Sequence, residues 1–97
     1  MIQTGTAWYD VVNTPEWNLN AGIGDRSVRT PDIPFNPPFS QPPHVVLALA
    51  GVDSERTANL RVALEPHDIE PGEFSIKIKT WHDTALYGVG VAWIAYD

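Results

Sequence analysis

The stretch Lys79-Thr80-Trp81-His82-Asp83-Thr84 puts an indole, an imidazole and a carboxylate side by side. Arginine at position 61, in Leu60-Arg61-Val62-Ala63-Leu64, adds a permanently charged fork of N–H donors. Together these groups suit non-covalent recognition of a polyhydroxylated ligand. A flat indole meets the C–H patch of a sugar ring, while Arg donates, carboxylates accept and His does either. Asp25, in the loop Ala21-Gly22-Ile23-Gly24-Asp25, offers a further acceptor.

Catalytic and metal chemistry fit the same residues less well. Glycoside hydrolysis needs two facing carboxyl groups, one of raised pKa; the twelve Asp and Glu fall mainly in predicted turns. No Ser-His-Asp or Cys-His arrangement is evident. His44, His67 and His82 lack metal-ligand spacing, and the chain has no cysteine. The reading is therefore a binding protein, not an enzyme, with no metal and no cofactor.

Plainer roles compete for each residue. Arg61 has Glu55 and Glu65 as ordinary ion-pair candidates, worth little if exposed. Tryptophan at a strand end is more often packing, Asp25 is by default a turn former, and His44 and His67 read as solvated. Trp93 belongs with Val89 and Val91 in the core, whereas Trp8 and Trp17 stay unassigned, with Trp17 open to a place in the cleft or an interface.

The elements that position these groups read as strands. In Phe74–Trp81, FSIKIKTW, alternation puts Phe74, Ile76, Ile78 and Thr80 on one face and Ser75, Lys77, Lys79 and Trp81 on the other. Leu60, Val62 and Leu64 alternate inward against Arg61, Ala63 and Glu65. Thr6–Val12 is a predicted first strand, residues 17–32 a long loop with a brief strand at Ser27–Arg29, and His44–Val52 a continuous apolar strand. Prolines 31, 34, 37, 38, 42 and 43 forbid helix in between. Half a dozen short strands with turn signals between them predict an all-β antiparallel sandwich in one domain. The last strand, Tyr87–Asp97, is apolar on both faces, so its second face needs a cover; another copy of the chain is the simplest, and a homo-oligomer is predicted.

A formal charge of −6 with scattered Lys and Arg argues against nucleic acid as a partner. No long apolar run predicts membrane insertion and no signal-peptide pattern opens the chain, so the expectation is a soluble protein with localisation unknown, cytoplasmic or exported by a non-classical route.

Three stretches in a fixed order, IPFNPPFSQPPHVVLAL, NLRVAL at 59–64 and GEFSIKIKTWHDTALYGVGVAWIAY at 72–96, resemble the H-type lectins, the family of snail agglutinins and discoidin C-terminal domains. The likeness covers residues 33–96 and leaves 1–32, the first strand and long loop, weakly matched within a single domain 1–97. It implies a six-stranded antiparallel sandwich, assembly into trimers or hexamers, and non-catalytic binding of galactose or N-acetylgalactosamine between protomers. By the resemblance Arg61, Trp81 and His82 are site residues. An ungapped count gives the family's loop glycine as Gly22, and a one-residue shift gives its aspartate as Asp25. Some relatives carry Asn where this chain has Asp83, which adds negative charge at the site; the snail disulfide has no counterpart. The alternative is a structural oligomerisation module that shares the sandwich and binds no sugar.

Overall fold

A computed structural model describes all residues, 1–97. Seven strand segments and no helix make up the chain: β1 (Ile2–Asp10), β2 (Arg26–Arg29), β3 (Ile33–Pro34), β4 (His44–Ser54), β5 (Ala63–His67), β6 (Glu73–Thr80) and β7 (Leu86–Tyr96). One sheet has the order β1-β7-β4; the other is built on β6, which pairs with β2, β3 and β5, and every pairing is antiparallel. β2 and β3 are two halves of one edge strand. Arg29 lies opposite Lys77 and Ile33 opposite Phe74, and between them Thr30 N donates to Ile76 O at 2.9 Å while Thr30 Oγ1 accepts from Ile76 N at 3.0 Å. Pro31 has no N–H to continue the ladder, so the strand breaks there and resumes one residue out of register. With that strand counted once, the sandwich has the expected six.

The inward set of β6 is as predicted, whereas Ser75 of the outward set is buried too, its Oγ accepting from Arg29 Nε at 3.0 Å and donating to His67 O at 3.2 Å. Phe74, Ile76, Ile78 and Thr80 are at most 1 % exposed, and they face Val89, Val91, Trp93 and Ala95 of β7 across the core. The proline-rich segment delivers two more aromatics. Phe35 N donates to Gly72 O at 2.9 Å and Phe39 N to Pro71 O at 2.8 Å, which seats Phe35 against Phe74 with centroids 5.2 Å apart and Phe39 edge-on to Phe35 at 5.0 Å. Trp93 packs edge-on to Phe74 at 5.2 Å. Its indole needs the space above Gly5, where an added Cβ would come within 2.6 Å of it.

Two expectations about strand limits are corrected. The first strand runs Ile2–Asp10 instead of Thr6–Val12, because Asp10 Oδ1 accepts from the amides of Val12 at 2.9 Å and Asn13 at 2.7 Å and turns the chain there. Val12 is left exposed. Leu60 is also exposed, contrary to the inward alternation, because β5 begins only at Ala63. Residues 59–61 are tied instead to the 80–84 segment, with Thr80 Oγ1 donating to Arg61 O at 2.6 Å and Thr84 Oγ1 to Asn59 O at 2.5 Å.

The outer face of β1-β7-β4 is apolar as well. The Trp8 indole lies across Gly88, Gly90 and Gly51, which present no side chain, and its Nε1 donates to Asp10 Oδ2 at 2.9 Å. Around it Val46, Leu49, Ile94 and Tyr96 are exposed. Trp17, by contrast, packs against the core with Nε1 donating to Leu86 O at 2.9 Å, so it belongs to neither a cleft nor this face. The N-terminal ammonium meets the Asp97 carboxylate beside the end of β7. No helix is long and apolar enough to cross a membrane.

Candidate functional site

The site is assembled where β6 ends and β7 has yet to begin. Trp81 keeps the outward parity of Lys77 and Lys79, and its ring is 40 % exposed. His82 then takes a left-handed backbone, φ 57°, which costs a residue with a Cβ free energy. That conformation turns its carbonyl toward the 19–26 loop, where it accepts from Gly24 N at 3.0 Å and Arg26 Nη2 at 2.8 Å. Beyond it Thr84 is buried and anchors the turn to Asn59.

Asp83 joins the two predicted polar residues. Its Oδ1 lies 2.8 Å from Arg61 Nη1 and 3.1 Å from His82 Nδ1. The hydrogen bonds from His82, then from Arg61, hold the Asp83 carboxyl below its ordinary pKa. Arg61 Nη1 also donates to Thr84 Oγ1 at 3.1 Å, while Nε and Nη2 have no partner within the chain and stay available to a ligand. Arg61 does not pair with Glu55 or Glu65; Lys79 takes Glu65, at 3.0 Å. The guanidinium is thus oriented by Asp83 and Thr84 and only about a fifth exposed, poised as a donor at a rim.

Trp81 also lines a cleft of about 480 Å³ on the outer face of the β6 sheet. Its floor is the row Ser27–Lys79–Ala63, in which two small side chains flank a lysine, and Lys77 and Asp25 line it too. Asp25 therefore joins Trp81, while Arg61 and His82 gather on Asp83. Gly22 sits in the loop above with φ 86° and no hydrogen bond of its own to the other four.

The residue that holds this loop in place is one that sequence reasoning passed over. Arg26 spends its whole guanidinium on backbone carbonyls: Nε to Gly24 O at 3.1 Å, Nη1 to Ala21 O at 2.8 Å and Leu19 O at 3.3 Å, and Nη2 to His82 O and Thr84 O, both at 2.8 Å. It fastens the loop carrying Gly22 and Asp25 to the turn carrying His82 and Asp83. A signal for it existed. Arg26 shares parity with the buried Val28, and an arginine on the inward side of a strand must find acceptors.

The sequence profile of the H-type lectin domain matches residues 30–96. A curated relative, the "ATP synthase subunits region ORF 7" of Fuscovulum blasticum, is 35 % identical over 74 residues, 76 % of this chain and 64 % of that protein. The chain thus spans just under two thirds of that relative's length. Two solved structures of discoidin II from Dictyostelium discoideum superpose with TM-scores of 0.81 and 0.82 at 22 % identity, covering 98 % of this chain and 35–36 % of theirs. At that identity they speak for the fold, which agrees strand for sandwich with the one described. The profile match extends through Arg61 and the Trp81–Asp83 turn, and on it the chain belongs to the H-type lectin domain family, whose members are non-catalytic carbohydrate-binding lectins.

Proposed function

We propose that this domain binds glycans ending in galactose or N-acetylgalactosamine, at a site comprising Trp81, Arg61 and His82 with Asp25 and Gly22 from the loop. The observation that carries the reading is the half-exposed indole of Trp81 in the same turn as Asp83, whose carboxylate orients an Arg61 guanidinium with two unengaged nitrogens. The axial hydroxyl of a galactose-type ring leaves one ring face lined with C–H groups, which match the indole, and directs that hydroxyl to one side. Arg61 Nε and Nη2 are suited to donate to it, and the second oxygen of Asp83 to accept from its neighbour. An epimer with the hydroxyl reversed leaves those buried or half-buried partners unpaired, which is how such a site discriminates.

A shallow single site binds weakly, and multivalency offsets that. The exposed apolar face of β1-β7-β4 supports a homo-oligomer, a trimer or a pair of trimers, that presents several sites at once. Trp81→Ala tests the site. Its affinity for N-acetylgalactosamine, measured by calorimetry, is expected to fall at least about tenfold. Its melting temperature is expected to move by less than about 4 °C, since the ring is not core. Unchanged affinity refutes the assignment. A glycan array silent on every galactose-type epitope refutes the lectin reading itself and leaves a structural oligomerisation module. For the assembly, Ile94→Lys is expected to shift a sedimenting oligomer to monomer, and a wild-type chain that sediments as a monomer at micromolar concentration refutes it.

A further inference from the structure

The β6 sheet gathers most of the molecule's cations, together with the carboxylates that neutralise most of them. The chain carries twelve acids against six Lys and Arg, yet five of those six cations (Arg26, Arg29, Arg61, Lys77 and Lys79) lie on this sheet or at its end. Most are spoken for. Arg29 bridges Asp32 at 3.2 Å and Asp68 at 3.0 Å, Arg61 holds Asp83, and Lys79 reaches Glu65. Lys77 is different. It stands in register between Arg29 and Glu65, but Glu65 turns to the diagonal Lys79, so Lys77 has a cation on one side and an already paired carboxylate on the other. It forms no ion pair and lines the cleft beside Trp81. Arg26 also borders that cleft, and its guanidinium, turned to the loop, is hydrogen-bonded only to neutral carbonyls, so its charge too is uncompensated. Asp25 is the one carboxylate in the lining.

We infer that this cleft is a subsite for an anionic group, sulfate or carboxylate, carried on the glycan residue next to the one that rests on Trp81. The inference rests on the galactose reading for the ring at Trp81 and adds a second requirement to the ligand. Strand geometry sets the spacing. Two residues along β6 is roughly 7 Å and four is roughly 13 Å, so Lys79 and Lys77 lie one ring-length and more from Trp81. The acid therefore belongs on the second sugar, not on the galactose. At about 480 Å³ the cleft has the size of sites that enclose a ligand larger than one ring. Ser27 and Ala63 keep its floor low enough for that ring to lie over β6.

The test compares four disaccharides by calorimetry. They are N-acetyllactosamine, its form sulfated on the N-acetylglucosamine ring, galactosyl-glucuronic acid, and the glucuronate-containing repeat of hyaluronan, which lacks galactose. At about 20 mM salt the two acidic galactosides are expected to bind roughly three- to fivefold tighter than the neutral one, an advantage lost by about 0.5 M. The sulfate and carboxylate arms show which acid is preferred. Lys77→Met is expected to remove the advantage; the readout is the ratio of acidic to neutral affinity, which a general loss of fold would scale alike. Equal binding of all three galactosides at low salt, or an advantage that survives in Lys77→Met, overturns the subsite and leaves the galactose reading standing. Binding of the hyaluronan repeat with all three galactosides silent keeps the subsite and removes the galactose reading. Silence on all four removes both.

Discussion

Replacing Arg26 by methionine keeps the unbranched stem of the side chain and deletes the guanidinium with its five N–H donors. The cost follows from which carbonyls have another partner. Leu19 O still accepts from Leu86 N at 2.8 Å, and His82 O from Gly24 N at 3.0 Å. Ala21 O faces water and rehydrates. Gly24 O and Thr84 O are partly buried and depend on Arg26. At about 1 kcal/mol for each such bond the loss is roughly 2 kcal/mol, a substantial share of the 5–15 kcal/mol or so that holds a domain folded. For a chain of this size that is a fall in melting temperature of roughly 8–16 °C. Urea unfolding followed by tryptophan fluorescence gives the free energy, and hydrogen exchange at the Gly24 amide gives the location, since its bond to His82 O, though kept in the folded state, opens more often once the clamp is gone. Arg26→Lys, a point charge without the fork, is expected to recover less than half of the loss. A change below about 0.5 kcal/mol in Arg26→Met, with Gly24 as protected as before, refutes the idea that one guanidinium joins the loop to the turn.

Two further predictions concern the same end and the opposite face. Because the Asp83 carboxyl is held below its unfolded pKa, its contribution to stability is present above the ordinary aspartate value, near pH 4, and is lost as pH falls through the folded value. Urea midpoints of wild type and Asp83→Asn should differ between pH 5 and pH 7, at values of about one and three units above that pKa, and converge toward pH 2; a constant offset throughout refutes the link. At Gly88 an added Cβ would fall 2.2 Å from Trp8 Cζ2, so Gly88→Ala must lift the indole off the sheet at a cost of roughly 1–3 kcal/mol. In a Trp8→Ala background the same substitution should be nearly neutral, and a cycle without coupling refutes the contact.

The parts of this protein legible in its sequence are those governed by a period of two. The inward positions of Phe74–Thr80 and Val89–Ala95 are all buried, with Ser75 and Gly90 the outward positions that are covered as well, so the sandwich and the outward parity of Trp81 follow directly. The strand interrupted at Pro31 was harder, since its two halves are short and a loop-like composition masks the ladder. Leu60 misled because alternation ran past the real start of β5; the buried hydroxyls of Thr80 and Thr84, two unremarkable letters, take over the backbone there. The junction of Arg61 and His82 on Asp83 is a product of tertiary closure, across 22 residues, and no local pattern encodes it. Arg26 was missed for the opposite reason. It lay at the edge of a predicted loop, where a cation reads as solvated, although its parity with Val28 pointed inward.

One feature at the far end of the molecule bears on how such a site is displayed. Met1 and Asp97 touch each other, and β7 runs from the Trp81 turn to that contact over roughly 34 Å of strand. Anything covalently joined at either terminus leaves from the same pole, with the length of the sandwich between it and the rim proposed to meet sugar. A tether, label or neighbouring domain attached there would act as a handle, leaving the opposite tip open to a glycan-coated surface.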